Sequence, residues 1–253
     1  SEFNKVLKSA KNPLIILGTS AINNDHGKKI LETAGLIAKK IQKNKNTNPL
    51  NILNQDISRV GALDLKFYNK KFDNDYNKQL KKHIDKTKPV VFLMGLDEIN
   101  FSTFENAFVV YLGHHGDVSA SIADIILPTP AYTEKSSTYM NIEGRVIQTT
   151  KCHNPIGEAK EEWKIFRVLS DLFEKNLNFN NLGELRNELT STYGQFALLN
   201  EVNSVGEITF AKNNKIENIK IKYNIENFYM TDSISRSSET MAKCTKDILN
   251  KAA

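Results

Sequence analysis

The chain has 253 residues, of which 40% are apolar and 25% charged, and it carries a formal net charge of +5 at pH 7. This composition is typical of a globular protein with one large or two small domains. No window approaches the roughly 18 apolar residues of a membrane helix, so we expect no direct membrane span. The lysines are scattered along the chain without an arginine- and aromatic-rich stripe, which argues against nucleic acid as a partner.

The sequence contains two cysteines, Cys152 and Cys244, which lie far apart in the chain. Structural zinc sites and iron–sulfur clusters generally take four ligands from close sequence groups. The cysteines alone therefore provide neither kind of site, and we expect no metal in this chain. A disulfide framework is not expected either, which fits a reducing compartment.

The chain opens with a pattern that predicts a strand, a glycine turn and a helix. Residues 12–18 form a short apolar run that ends at Gly18, and the helix that follows is expected to be capped by Asn23, Asn24 or Asp25. This order is that of a Rossmann-like unit. Free N–H groups at positions 18–20 would suit a phosphate, but the glycine fingerprint and the Walker lysine are absent.

Further apolar runs predict buried strands at residues 50–53, 89–95 and 108–112, with helices at 76–86, 161–173 and 181–193. Strands that alternate with helical or polar connections indicate an α/β fold. We therefore predict a doubly wound, mostly parallel Rossmann-like sheet with added helices. Asp97 and Glu98 follow the 89–95 strand, and we interpret them as turn-capping residues rather than ligand contacts.

The end of the chain has a different pattern. Strand-like residues 208–210 and an alternating run at 219–223, with Asn213 and Asn214 between them, predict a hairpin. A last helix carries one stripe of Met241, Cys244, Thr245, Ile248 and Leu249, and we expect it to pack on the body with Cys244 in the core. This gives a small C-terminal β/α portion. We predict a domain over residues 1–195, with residues 196–253 packed on it.

The most informative segment is residues 107–150. The strand at 108–112 leads into a Gly-His-His-Gly-Asp turn, and a second apolar run stops at Pro128, where proline excludes a continuing central strand. The polar segment from Thr138 to Arg145 lacks a helical period, so we interpret it as an ordered loop. Ordered long loops are usually functional or form interfaces.

The motifs A-D-x-x-L-P, Y-T-E-K and T-Y-x-N-x-E-G-R in this segment resemble the molybdopterin-oxidoreductase superfamily. Together with G-H-H-G-D, Trp163-Lys164-Ile165 and the C-terminal Ser235-Arg236-Ser237 and Met241–Cys244, they resemble the largest iron–sulfur subunit of NADH:ubiquinone oxidoreductase, respiratory complex I. Ile142 departs from that family, in which threonine is more frequent.

This resemblance implies a non-catalytic structural role that supports electron transfer from NADH to quinone in the peripheral arm. It implies that the iron–sulfur clusters lie on the N-terminal half of the subunit or on a partner chain, and that this chain itself holds no cofactor. The partners would be other peripheral-arm subunits, including the cluster-bearing half and the NADH-binding module. The implied location is the mitochondrial inner membrane on its matrix side, or a bacterial plasma membrane on its cytoplasmic side.

Two alternatives remain open. The chain could be a fragment of a molybdenum-dependent oxidoreductase, because some motifs are shared, although the metal-ligating residue of those enzymes has no convincing counterpart here. It could also be an independent nucleotide-binding α/β protein. A molybdenum assay tests the first alternative, and binding of ATP or NAD by the isolated chain tests the second.

We predict structural or interface roles, and no catalytic, cofactor-binding or metal-binding roles, for one set of residues. These are Gly113, His114, His115, Gly116, Asp117, Asp124, Pro128, Glu134, Lys135, Asn141, Glu143, Gly144, Arg145 and Trp163. The two histidines suggest a metal or an acid–base pair, but adjacent histidines usually point apart, so we favour a packed turn. Ion pairs between Glu134 and Lys135 and between Glu143 and Arg145 would fix the loop, and Trp163 would anchor the core.

Overall fold

The computed structural model describes residues 2–24, 26–44, 46–68, 76–96, 100–202, 225 and 227–249. The strands are β1 (Ile15–Gly18), β2 (Leu50–Leu53), β3 (Val90–Met94), β4 (Phe108–Gly113), β5 (Ile125–Pro128), β6 (Thr138–Met140) and β7 (Val146–Gln148). The helices are α1 (Glu2–Ser9), α2 (Thr19–Ile22), α3 (Gly27–Ile41), α4 (Arg59–Asp64), α5 (Tyr76–Thr87), α6 (Val118–Ser121), α7 (Glu162–Leu172), α8 (Leu182–Thr192), α9 (Ser233–Arg236) and α10 (Glu239–Cys244).

The strands form parallel sheets, as the buried apolar runs predicted. β1 pairs with β2 in parallel, and β3, β4 and β5 form a parallel sheet in that order. The α/β class is therefore confirmed. Among the described residues the parallel strands are divided between these two sheets, whereas the sequence predicted one. A third pair, β6 and β7, was not predicted, since each strand has only three residues.

The chain divides into two compact units that are not continuous in sequence. The first consists of Ser1–Phe67, Thr138–Ile147 and Leu189–Glu226, and the second of Tyr68–Ser137, Gln148–Glu188 and Asn227–Ala253. Each unit contains one of the parallel sheets. The domain boundary that the sequence suggested, after residue 195, stays a prediction.

The first unit has two apolar clusters. In one, Ala34 and Ala38 of α3 pack with Leu50 of β2. Their spacing of four residues keeps both alanines on one face of the helix, and small side chains allow a close approach to the sheet. In the other cluster, Met140 and Val146 from the β6–β7 pair pack with Phe196. This cluster fixes the segment between β6 and β7 to the first unit.

The second unit is built around β4. Val109, Val110, Tyr111 and Leu112 are each at most 5% exposed, so this strand is buried on both faces. Because alternate residues point to opposite faces, Val109 and Tyr111 share one side, where they pack with Leu93 and with Ile84 of α5. The strand therefore forms the centre of the second unit, and residues 113–117 extend from its C-terminal end.

Most predicted helices are confirmed with small shifts in their ends. α3, α5, α7 and α8 lie where the periodicity placed them. The prediction that Asn23 or Asn24 caps the start of α3 is wrong. The N-cap residue is His26, and no side chain caps this helix. Asp25, Asp97, Glu98 and the predicted 208–223 hairpin lie outside the described residues.

The last predicted helix is shorter than expected. α10 ends at Cys244 and continues as a π-helical turn, Thr245–Leu249. Met241 and Cys244 are half-buried, whereas Ile248 is exposed, so Cys244 lies at the edge of the packed face rather than in the core. Within the described residues, no helix is both long enough and apolar enough to cross a bilayer.

Gly113 is the tightest position at the end of β4. A Cβ atom there would overlap the hydroxyl and ring of Tyr111, which is 3% exposed and donates a 3.0 Å hydrogen bond to the His115 carbonyl oxygen. We predict that Gly113→Ala lowers the free energy of unfolding by about 1–3 kcal/mol, as overpacked core sites do. Thermal unfolding of the chain measures this effect.

Gly116→Ala is the matched control for that measurement. It changes a glycine three residues away, where a Cβ atom would have no neighbour within 4 Å. Its effect should stay within about 0.5 kcal/mol, as for most surface substitutions. Equal destabilisation by the two substitutions would show that the packing of Gly113 against Tyr111 does not matter.

Candidate functional site

The turn after β4 brings the two predicted histidines into contact with each other. The rings of His114 and His115 are nearly perpendicular, with centroids 4.9 Å apart, and their Nδ1 atoms are 2.6 Å apart. The expectation that the adjacent histidines point apart is therefore wrong. A hydrogen bond at this distance needs one Nδ1 to donate and the other to accept, so at least one ring must be neutral.

The surroundings of His114 favour its neutral form. Partial burial of the ring is the main cause that lowers the pKa of His114 below its ordinary value of 6.5, and the nearby His115 and Lys135 lower it further. Glu162 and Glu134 oppose this effect more weakly. The histidine turn is thus most stable without an extra proton.

Among the described residues of the second unit, Asp117 makes the ion pair with the largest separation in sequence. Its carboxylate accepts a hydrogen bond from Arg236 Nε at 2.9 Å and lies 2.9 Å from Nη2, and the side chains of Asp117 and Arg236 are only 10% and 21% exposed. Asp117 also precedes α6, but its side chain does not cap that helix. The carboxylate is used instead to connect the histidine turn to α9, where Asp232 caps the helix start through a capping box.

Asp124 directly precedes β5, and Pro128 is the last residue of that strand. The Asp124 carboxylate accepts from the Val109 N–H at 2.7 Å, and the Asp124 N–H donates to the Val109 carbonyl oxygen at 2.8 Å. Asp124 thus extends the pairing of β5 with β4 by one residue, to Val109. Pro128 lies opposite Gly113 at the last paired position, and its carbonyl oxygen accepts from the Lys160 N–H.

The predicted pair of Glu134 and Lys135 is wrong, because the two side chains have other partners. Lys135 Nζ lies 2.5 Å from Glu162 Oε1, and both side chains are 22% exposed. Glu134, which is 8% exposed, accepts from the Ala131 N–H at 3.0 Å and lies 4.0 Å from His153 Nε2. The lysine therefore fixes this loop to the first turn of α7 rather than to its own neighbour.

The polar segment that the sequence suggested was a loop is a β-hairpin. Its five-residue connection between β6 and β7 is too short for a parallel crossover. Asn141 Oδ1 accepts from the N–H groups of Glu143 and Arg145, at 2.9 and 3.0 Å. Gly144 has φ of 78°, a left-handed conformation that glycine adopts without strain. One amide and one glycine therefore define the turn.

Arg145 connects this hairpin to a distant segment of the first unit. Its Nε lies 3.5 Å from Glu143 Oε2, which is the ion pair that the sequence suggested. Its Nη1 donates to the carbonyl oxygen of Asn200. The Asn200 N–H in turn donates to the Val146 carbonyl oxygen at 2.8 Å, so the hairpin and residues 199–200 are held by backbone and side-chain bonds together.

Trp163 lies at the start of α7 and is half-buried. Its ring is 6.4 Å from that of Phe179 in an edge-on arrangement, its Nε1 donates to Glu161 Oε2 at 3.0 Å, and Lys164 Nζ lies over the ring. It belongs to none of the buried clusters. Trp163 is thus only partly enclosed while it packs against the buried Phe179, and its role as a core anchor stays a prediction.

Most of the polar side chains singled out by the sequence have hydrogen-bond or ion-pair partners within their own unit. Among the described residues, no three His, Cys, Asp or Glu side chains come together as metal ligands. The whole sequence has two cysteines, and Cys152 is exposed while Cys244 is half-buried. A four-thiolate iron–sulfur cluster does not fit this donor set, since it needs four cysteines.

Sequence reasoning missed three partners of these residues. Glu162 and Asn200 were not singled out, and Arg236 was noted only as part of a motif. All three lie at least 27 positions from the residue they contact. One local signal was available: Glu162 is an acidic residue in the first turn of a predicted helix, a position where negative charge is favoured.

Comparison with known proteins identifies the family. A family model described as molybdopterin oxidoreductase matches residues 1–172, and one for the C-terminal region of the G subunit of NADH-ubiquinone oxidoreductase matches residues 201–244. The chain is 39% identical over 252 residues to the NADH-ubiquinone oxidoreductase 75 kDa subunit of Reclinomonas americana, with 96% of this chain covered. It is 41% identical over 252 residues to the mitochondrial 78 kDa subunit of Candida albicans, with 94% covered.

A bacterial relative gives the same result. The chain is 35% identical over 246 residues to the G subunit of the NADH-quinone oxidoreductase of Rickettsia bellii, with 97% of this chain covered. The chain spans about one third of the length of these relatives, at 35%, 33% and 34%. The chain belongs to the molybdopterin oxidoreductase family, and the relatives that it matches are named as subunits of NADH-ubiquinone or NADH-quinone oxidoreductase.

Proposed function

We propose that the chain is a non-catalytic structural part of the large iron–sulfur subunit of NADH:ubiquinone oxidoreductase, complex I. There it supports electron transfer from NADH to quinone in the peripheral arm. The observation that carries this proposal is the 35–41% identity to such subunits over 94–97% of the chain. The activity and partners of the whole assembly come to this chain only by that relationship.

The contacts of the motif residues support a structural role. Asn141 and Asp124 bond backbone N–H groups, and Asp117, Lys135 and Arg145 hold segments that are distant in sequence. Leaving one such buried group without its partner costs more than the bond contributes. Structural or interface roles for these residues, including Trp163, are therefore part of the proposal.

The same relationship defines the proposed surroundings of the chain. The clusters would lie on the cluster-bearing half of the subunit or on a partner chain, and the neighbours would be that half and other peripheral-arm subunits, including the NADH-binding module. We propose the mitochondrial inner membrane, on the matrix side, as its location, because the Candida albicans relative is named mitochondrial; a bacterial plasma membrane is the alternative. The two family matches, at 1–172 and 201–244, also support a boundary near residue 195.

The structural role of Arg145 predicts the effect of its removal. Arg145→Ala removes the bond to Asn200 and the pair with Glu143, and should lower the free energy of unfolding by about 1.5–3 kcal/mol. Thermal stability and the yield of assembled complex should fall, while NADH:quinone turnover per assembled complex stays unchanged. Native gels with in-gel activity give both quantities.

Arg59→Ala is the matched control, because Arg59 pairs with Asp56 in the same unit but both side chains are more than half exposed. An exposed pair of this kind contributes at most about 1 kcal/mol. If Arg145→Ala left assembly intact but abolished turnover, Arg145 would have a catalytic role and the structural proposal would fail for it.

The His114 pKa predicts a pH dependence of stability. Because the folded pKa is below 6.5, the unfolded chain binds more protons than the folded chain once the pH falls below about 6.5. The free energy of unfolding should therefore decrease as the pH falls through this range, and the loss should end below the folded pKa. His114→Gln should reduce this slope.

Denaturant unfolding at pH 5 to 8 measures the effect. His83→Gln, at an exposed position of α5, serves as the control and should leave the His114 contribution in place. An unchanged slope in the His114→Gln variant would show that the histidine turn does not couple protonation to folding.

The first test of the proposed function is whether the chain is part of the complex. Detergent-solubilised membranes are separated on native gels, the peptides of this chain are followed by mass spectrometry, and NADH dehydrogenase activity is stained in the gel. We expect the chain in the large active band. A chain that migrates apart from that band would refute the proposal, and metal analysis for molybdenum would then test the alternative enzyme class.

A further inference from the structure

The second unit has an open groove between α5 and residues 100–103, with a volume of about 720 Å³. One wall is the outer face of α5, with the four lysines Lys78, Lys81, Lys82 and Lys86 and one acidic residue, Asp85. The other wall is polar and includes Ser102 and Thr103. We call this feature the lysine groove. All of its charged residues belong to one helix, α5, within positions 78–86.

The position of the lysines follows from the helix that carries them. Ile84, only 1% exposed, and Leu80 are four residues apart and pack against the β3–β4–β5 sheet. The opposite side of α5 must therefore face outward, and lysines at spacings of three and four residues share that side. The packing of one apolar face thus sets the direction of the positive charges.

Two charged residues of the groove, Lys81 and Asp85, already have hydrogen-bond or ion-pair partners within the second unit. Lys81 Nζ donates to the Ser102 carbonyl oxygen at 2.6 Å and lies 3.5 Å from Asp85 and 3.8 Å from Glu105. Asp85 also accepts from Asn106 Nδ2 at 2.9 Å; this bond is the main cause that lowers the pKa of Asp85, with Lys81 adding to it. Asp85 and Lys81 thus form part of the groove wall.

The other three lysines differ from Lys81. Lys78, Lys82 and Lys86 make no ion pair with any residue in the part of the chain that the structure describes. Three like charges within about two helical turns repel one another, and an anionic partner would relieve that repulsion. The groove therefore has positive charge available for a ligand from outside the unit.

We propose that the lysine groove binds an acidic segment of another protein chain. A lysine ammonium is a compact charge on a flexible stem and suits single carboxylates, whereas flat bidentate recognition of phosphate favours arginine. Among the described residues, neither an arginine nor an aromatic side chain lines the groove, so they provide no stacking platform of the kind found in nucleic-acid sites. The inference rests on the proposed function, because it needs a neighbouring subunit.

Zero-length carbodiimide cross-linking of the solubilised complex tests this proposal, because the reagent joins an amine only to a carboxylate in direct contact. We expect Lys78, Lys82 or Lys86 to be joined to Asp or Glu of another chain. The yield should exceed that of Lys39 and Lys40, exposed lysines of α3, at least severalfold. It should fall at 1 M salt, where the screening length is only about 3 Å.

A charge-reversal pair provides the second measurement. The variant Lys82→Glu with Lys86→Glu should lose these cross-links and dissociate from the complex at lower salt than the wild type. The variant Lys39→Glu with Lys40→Glu changes the net charge equally and should behave like the wild type. Equal behaviour of the two variants would overturn the proposal.

The outcomes separate the two proposals. A chain absent from the active complex refutes the proposed function itself. A chain that co-migrates, but whose groove lysines react no more than Lys39 and Lys40 or join only carboxylates of this same chain, refutes the lysine groove and leaves the function standing. If nuclease treatment released the chain from the complex, the groove would be a nucleic-acid site and the inference would be overturned.

Discussion

The burial of β4 on both faces is the constraint on which the second unit depends. Its residues from Val109 to Leu112 are almost completely removed from water, and each contributes about 1.5–3 kcal/mol relative to exposure when its side chain is large and apolar. If β4 shifted by one residue, the side chains on its two buried faces would be exchanged. The carboxylate of Asp124 on the Val109 N–H, and the tight contact of Gly113 with Tyr111, fix the strand at its two ends.

The motif residues are used mainly to hold backbone in place. Asn141 shapes a five-residue connection, Arg145 joins it to Asn200, and Lys135 joins its loop to α7. A chain that must present a fixed surface to its neighbours gains from such contacts, since loops without them would have to be ordered at each binding event. The lysine groove is a different type of feature, because three of its charges have no internal partner within the described residues.

The sequence predicted those parts of the fold that depend on continuous apolar runs or long helical periods. The strands at residues 50–53, 90–94 and 108–113 and the helices α3 and α7 have such patterns. The hairpin at 138–148 was missed because three-residue strands with polar connections carry no readable period. The partners of Lys135 and Asp117 could not be predicted, because they are set by tertiary packing between segments 27 and 119 positions apart.

The bond between Asp117 and Arg236 has a consequence for the order in which the chain folds. Local contacts, such as the Asn141 turn, close within a few residues and form early, whereas a contact across 119 positions requires a large loop to close first. During synthesis, the histidine turn leaves the ribosome long before its arginine partner does. Asp117 is therefore a solvated carboxylate in the nascent second unit and becomes enclosed only when α9 docks. Completion of this unit is thus a late step of its folding, because it must wait until the segment that carries Arg236 has been synthesised.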